Sequence, residues 1–150
     1  MYDVPTLEKT MTAEIEIEPV EPRLISIEDA ARKYEIPVGV LERLIEEHRI
    51  RIQNNGSRML FEEDVKAVRH LSRARFRHLE GKKISINEAS RRYELQPSTV
   101  ARWVLKRKVR TVGREGKYRY IDESDIAYAA FLARVFGMKA GKGVLPNKVY

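Results

Sequence analysis

The chain has 150 residues, with 29 Lys and Arg against 22 Asp and Glu, and no cysteine. Without cysteine, disulfides and thiolate metal sites are excluded, and the three histidines form no tight ligand cluster. No apolar run approaches the roughly 20 residues that span a bilayer, and the first residues lack the basic and then apolar layout of a signal peptide. We therefore expect a soluble intracellular protein.

The positive charge is concentrated in the second half of the chain. Residues 1–22 carry one Lys against six acidic residues, whereas residues 82–134 carry thirteen basic residues against six acidic ones. Such a basic segment is expected where a surface binds phosphate groups, and a merely solvated basic face is the alternative.

A tandem repeat organises the chain. Residues 25–51 and 84–110 agree at nine positions without a gap, and the register resumes after a two-residue insertion. The matching pairs include Ser26 and Ser85, Tyr34 and Tyr93, Arg43 and Arg102, Arg51 and Arg110, and Asp64 and Asp125. Each repeat of about fifty residues is long for a solenoid unit and short for a self-sufficient enzyme. We therefore predict two small domains.

The first repeat begins with a predicted short helix that Ser26 caps and that ends near Tyr34. A second helix follows after a tight turn, and two short helices joined in this way form a helix-turn-helix. The Asn55-Gly56 pair then predicts a β-hairpin, since both residues tolerate positive φ. Helical periodicity over residues 62–80 predicts a third helix that joins the two repeats.

The second repeat predicts the same order of elements. Ser85 and Glu88 form a capping box, and Pro97 suits the first position of a second helix that ends near residue 107. A longer hairpin follows, with Gly113 and Gly116 expected on either side of its tip. Residues 122–125 then cap a third helix that runs to Gly137.

These elements predict a mainly α fold with small β-hairpin wings, in which two tandem winged helix-turn-helix domains are joined by a helix. The expected segments are a flexible acidic arm over 1–22, the first domain over 23–70, a helical linker over 71–81, the second domain over 82–136, and a flexible basic tail over 137–150.

Three segments of the second repeat carry a family resemblance. They are Ile84-Ser85-Ile86-x-Glu88-Ala89, Ser98-Thr99-Val100-x-Arg102-Trp103 and Tyr120-Ile121-Asp122-Glu123-Ser124-Asp125-Ile126, with a basic hairpin before the last. Together they resemble the winged helix-turn-helix domains of MerR regulators and excisionases. The resemblance implies DNA binding without a bound effector.

The first repeat matches this family only in outline. Gly39-Val40 stands where the family favours Ser-Thr, and Leu44 stands where it often has an aromatic residue. In both repeats, the glycine that often ends the second helix is replaced, by His48 and Arg107, which indicates a strained backbone or a different helix end.

The second helix of the second repeat carries the main candidate site. Ser98, Thr99, Arg102 and Lys106 share one face of it, and the opposite face carries Val100, Trp103 and Val104. Arg102 suits a bidentate contact to guanine, and the other polar residues suit phosphates or base edges. An ordinary basic surface helix is the alternative, and we expect Trp103 in the core rather than stacked on a base.

The candidate DNA-binding residues extend to the wings and to the first repeat. In the second repeat they are Ser98, Thr99, Arg102, Lys106, Arg107, Arg110, Arg114, Lys117, Tyr118 and Arg119; in the first they are Arg43, Arg49, Arg51, Asn55, Ser57 and Arg58. The second helix of the first repeat also carries Glu42, Glu46 and Glu47, whose carboxylates would repel phosphate. DNA contact and docking on a protein are therefore open alternatives for that repeat.

We expect sequence-specific binding of double-stranded DNA, by a transcriptional regulator or an excisionase-like architectural factor with the second repeat as the main reader. An adaptor in a DNA-associated complex, docking through the first repeat and the acidic arm, is the alternative. Self-association on DNA, or a protein partner bound through the first repeat or the termini, is compatible with both. We expect no enzymatic activity and no metal, since capping explains the acidic run at 122–125. We also expect no cofactor and no membrane contact, and a cytoplasmic location, associated with the nucleoid if the host is bacterial or archaeal.

Overall fold

The computed structural model describes residues 21–137 and 149–150. The predicted acidic arm, apart from Glu21 and Pro22, and residues 138–148 of the predicted basic tail lie outside this described part.

Both repeats fold into the same series of elements. The first comprises β1 (Leu24–Ser26), α1 (Ile27–Tyr34), α2 (Val38–Glu46), β2 (Ile52–Asn54), β3 (Arg58–Phe61) and α3 (Glu62–Ala67). The second comprises β4 (Lys83–Ser85), α4 (Ile86–Arg92), α5 (Pro97–Leu105), β5 (Thr111–Glu115), β6 (Tyr118–Asp122) and α6 (Glu123–Phe136). Each repeat therefore has three helices and three strands.

Each hairpin belongs to a three-stranded antiparallel sheet, in the orders β1-β3-β2 and β4-β6-β5. The third strand is the segment just before the first helix, where Ile25 pairs with Leu60 and Ile84 pairs with Ile121. The architecture is therefore mixed α/β rather than mainly α. Both predicted hairpins are present, and each is extended by a strand that the sequence did not predict. A strand of three residues is too short to show a period in the sequence.

The predicted helix caps are present. The Ser26 hydroxyl accepts a hydrogen bond from the Asp29 amide at 3.1 Å, and the Ser85 hydroxyl accepts one from the Glu88 amide at 3.2 Å. The reciprocal half of the capping box is replaced, because the Glu88 carboxylate binds Arg92 at 2.8 Å.

The connection between the repeats is not the predicted continuous helix. After α3 ends at Ala67, the chain forms two 3₁₀ segments, Arg69–Leu71 and Arg73–Leu79, separated by the extended residue Ser72. The Arg73 amide donates to the Glu35 carbonyl at 2.8 Å, outside its own helix. This tertiary bond favours the break over the helix that periodicity predicted.

One contiguous hydrophobic core serves both repeats. Phe76 in the second 3₁₀ segment packs against Tyr128 and Phe131 of α6, with ring centroids 6.0 and 5.7 Å away. The Tyr128 hydroxyl donates to the Leu71 carbonyl at 2.6 Å. The two repeats are thus packed on each other through the linker and α6.

Identical positions of the two repeats form identical bonds. The Arg51 amide and Nε donate to Asp64 at 2.8 and 2.9 Å, and the Arg110 amide and Nε donate to Asp125 at the same two distances. In each case the arginine before the hairpin is bound to the start of the third helix. Asp125 is fully buried and also binds Arg73, whereas Asp64 keeps an 18 % exposed side chain.

We expect Asp125→Ala to lower the free energy of unfolding by about 3–5 kcal/mol, because it leaves two guanidinium groups facing a site without its carboxylate. Asp64→Ala is the matched control, and its loss should be clearly smaller, since water reaches Arg51 and Asp64. Urea unfolding of both variants checks this. Equal losses of unfolding free energy in the two variants would contradict the larger contribution of Asp125 to stability.

Candidate nucleic-acid interface

Helix α5 is anchored by the apolar half of its surface. Val100, Trp103 and Val104 are buried, which confirms the face predicted for them and the core position of Trp103. Pro97 occupies the first helical position after the extended residue Gln96. The helix is therefore held firmly, with its other half turned to solvent.

The exposed half of α5 carries the predicted polar residues. Ser98, Arg102 and Lys106 are exposed, and Thr99 is half-buried at the edge of the core. In the described part of the chain, no carboxylate forms an ion pair with Arg102 or Lys106. A further residue on this face, Leu105, was absent from the sequence-based site and is the most exposed large apolar residue of the described chain, at 77 %.

The end of α5 concentrates positive charge on a strained backbone. Arg107 has φ +56° and its counterpart His48 has φ +57°, values that glycine adopts more readily. The missing glycines left a strained backbone and a different helix end as alternatives, and these φ values favour the strained backbone. Burial lowers the pKa of the adjacent Lys108, and the charges of Lys106 and Arg102 lower it further.

The β5-β6 hairpin presents a basic tip. Arg114 lies directly opposite Arg119, and Gly116 forms the turn with φ +59° in open space. Lys117 and Tyr118 are exposed beside it, with the Lys117 ammonium 5.7 Å from the Tyr118 ring centroid. Gly113, expected beside the tip, instead lies within β5 at an irregularity in the pairing with β6.

Arg110 has a structural role that the sequence did not reveal. Its guanidinium is bound to Asp125 on one side and lies 5.0 Å from the Tyr150 ring centroid on the other. The Tyr150 hydroxyl donates to the Arg107 carbonyl at 3.3 Å, and Val149 is buried. The last two residues therefore pack against the second repeat, although the sequence predicted a flexible tail throughout.

Three of the four candidate arginines of the first repeat face carboxylates. Arg51 binds Asp64 and Glu63, and Arg58 lies 3.5 Å from Glu42. Arg43, the counterpart of Arg102, is half-buried; it binds Glu47 at 3.0 Å and lies over the Phe136 ring. Arg49, Asn55 and Ser57 are exposed.

The second helix of the first repeat is acidic on its outer surface. Glu42, Glu46 and Glu47 are exposed on α2 and at its end. Their counterparts on α5 are Ala101, Leu105 and Lys106. The same backbone therefore presents opposite electrostatic surfaces in the two repeats.

No grouping of His, Asp or Glu within residues 21–137 and 149–150 is suited to hold a metal ion. None of the helices in that part of the chain combines the length and apolarity of a bilayer span. No family model, curated protein or solved structure matches the chain.

We expect Arg107→Gly to raise the free energy of unfolding by about 1 kcal/mol, because glycine adopts φ near +56° without a Cβ clash. Lys106→Gly is the matched control, since Lys106 has an ordinary φ of −82° and the change should not stabilise the fold. Thermal and urea unfolding check both. A destabilised Arg107→Gly protein would show that this backbone is unstrained.

Proposed function

We propose that the protein binds double-stranded DNA in a sequence-specific manner through its second repeat, which acts as a winged helix-turn-helix. The role is that of a transcriptional regulator or an excisionase-like architectural factor. The observation that carries this proposal is the contrast between the repeats. Within residues 21–137 and 149–150, the exposed cations of α5, its end and its hairpin form no ion pair with a carboxylate, whereas Arg43 and Arg58 are paired with acidic residues of α2 and its end.

Helix α5 suits the major groove. The groove of B-DNA admits one α-helix, and an exposed Arg102 near the middle of such a helix can bind guanine O6 and N7 together. Ser98 and Thr99 at the start of the helix suit phosphate or a base edge, and Lys106 at its end suits phosphate. The buried half of α5 supports this role, since a firmly held helix loses little entropy on binding.

The basic hairpin suits the DNA backbone beside that groove. Arg114 and Arg119 stand directly opposite each other, and like charges in that position destabilise a β-hairpin. An anionic partner would relieve this repulsion. The open turn at Gly116 allows close approach, so Lys117 can bind phosphate or enter the minor groove.

The first repeat is poorly suited to bind DNA when it is judged by the exposure and pairing of its charged residues. Three exposed carboxylates on α2 would meet the phosphates, and Arg43 already binds Glu47 and covers Phe136. Arg51 and Arg110 contribute more to folding than to an interface, since each is bound to an aspartate. Arg49, Asn55 and Ser57 are the first-repeat candidates for a supporting contact.

A protein adaptor is the second candidate function, and the exposed carboxylates of α2 favour it. In that case α2 would bind a basic surface of another protein, or of a second copy of this chain. Selection of bound duplexes from a randomised pool at about 0.15 M salt separates the two, because non-specific phosphate binding is weak under such competition. Enrichment of one motif supports the regulator; no retained DNA supports the adaptor.

With a selected duplex, we expect Arg102→Ala to weaken binding by about 10- to 100-fold and to relax the preference for one guanine. Arg43→Ala is the matched control, because it removes the same charge at the same position of the first repeat and should change affinity little. Fluorescence anisotropy measures both. The proposal fails if the two variants lose the same affinity, provided that both remain folded.

We also expect affinity to fall steeply with salt, since each neutralised phosphate releases condensed counterions. Lys117→Ala should reduce the slope of log K against log salt by about 1. Lys66→Ala removes an equal charge from the exposed surface of α3 and should leave the slope unchanged. If Lys117→Ala leaves the slope unchanged, Lys117 does not neutralise a phosphate and the hairpin is not part of the interface.

A further inference from the structure

Leu105 is an exposed large apolar residue at the end of α5, beside the polar residues of that helix. The residue is 77 % exposed, whereas the other exposed large apolar residues of the described chain range from 37 to 54 %. A single exposed leucine needs no explanation by itself. Its position on α5, however, puts it among the residues proposed to meet DNA.

Four exposed residues form one stripe along α5: Ser98, Ala101, Arg102 and Leu105. Ala101 and Arg102 lie three and four residues after Ser98 and four and three residues before Leu105, so the four side chains share a face. That face lies opposite the buried Val100, Trp103 and Val104. Leu105 therefore points where α5 would meet the floor of the groove.

The first repeat shows that this scaffold does not need an apolar residue at the position. The counterpart of Leu105 is Glu46, which is exposed on the acidic α2. The fold therefore accepts a carboxylate there, and packing against the described residues does not explain Leu105. A partner with an apolar group at that point would.

Only one base presents an apolar group in the major groove, and that group is the 5-methyl of thymine. We propose that Leu105 contacts a thymine 5-methyl and so determines part of the DNA sequence that the protein binds. This inference rests on the proposed function, since it requires α5 in the major groove.

The spacing on the helix also locates this thymine. Leu105 lies three residues after Arg102, which is about 4.5 Å along the helix axis. Successive base pairs are about 3.4 Å apart. The thymine should therefore lie about one or two base pairs from the guanine that Arg102 reads.

The test uses deoxyuridine, which differs from thymidine only by the missing methyl group. Each thymine of a selected duplex is replaced in turn, and affinity is measured by fluorescence anisotropy. At one position near the guanine, we expect the wild type to bind about fourfold more weakly, the factor for losing one buried methyl contact. Leu105→Ala should bind the thymine and deoxyuridine duplexes equally, whereas Leu105→Met should still discriminate.

Val135→Ala is the matched control, because Val135 is an exposed apolar residue of α6 outside the stripe. It should discriminate as the wild type does. Sedimentation of the free proteins identifies the competing explanation, in which Leu105 contacts a second copy of this chain.

The outcomes separate the inference from the function on which it rests. If a motif is selected but no deoxyuridine substitution weakens binding, or if Leu105→Ala discriminates like the wild type, the role of Leu105 is overturned and DNA binding stands. A self-association that Leu105→Ala abolishes, without any thymine preference, also overturns it. If no motif is selected, the proposed function itself fails.

Discussion

The buried carboxylate of Asp125 is the interaction on which the second repeat depends. It lies in the first turn of α6, binds the arginine that precedes the hairpin, and binds Arg73 of the linker. Arg73 in turn donates to Val149 and to the Ser124 hydroxyl. This one carboxylate therefore connects the hairpin, the third helix and the linker directly, and the end of the chain through Arg73. Arg110 connects α5 to the hairpin in the sequence, so its bonds to Asp125 fix the residue before the hairpin, five residues after the end of α5.

The two repeats have kept their internal bonds while their surfaces diverged. Tyr34 donates to Glu62 at 2.8 Å, and Tyr93 donates to Glu123 at 2.9 Å, so the identical tyrosines hold the same two elements together in each repeat. The exposed residues of α2 and α5 differ between the repeats and carry opposite charge. This pattern is expected when one copy keeps a phosphate-binding surface and the other acts in packing or docking, as the contact of Arg43 with Phe136 illustrates.

The sequence predicted those features that local interactions determine. The repeat, the serine caps, the start of α5 at Pro97 and its buried face followed from spacing and capping chemistry alone. The third strand of each sheet and the broken linker depend on tertiary partners, such as the Glu35 carbonyl that binds Arg73, and could not be predicted locally. Among the candidate site residues, Arg51 and Arg110 are exposed arginines, as are the residues proposed to bind phosphate. Nothing in the sequence distinguished them, and only the structure revealed their aspartate partners. Leu105 was missed because charge guided the search for the site.

The most direct test of the central claim, that one repeat reads DNA and the other does not, is an amide chemical-shift titration with a selected duplex. A folded chain of 150 residues suits this measurement. The account predicts that the large perturbations fall on residues 98–107 and on the hairpin around Gly116, while residues 38–46 of α2 change little. Perturbations of equal size on α2, or confined to the first repeat, would contradict it.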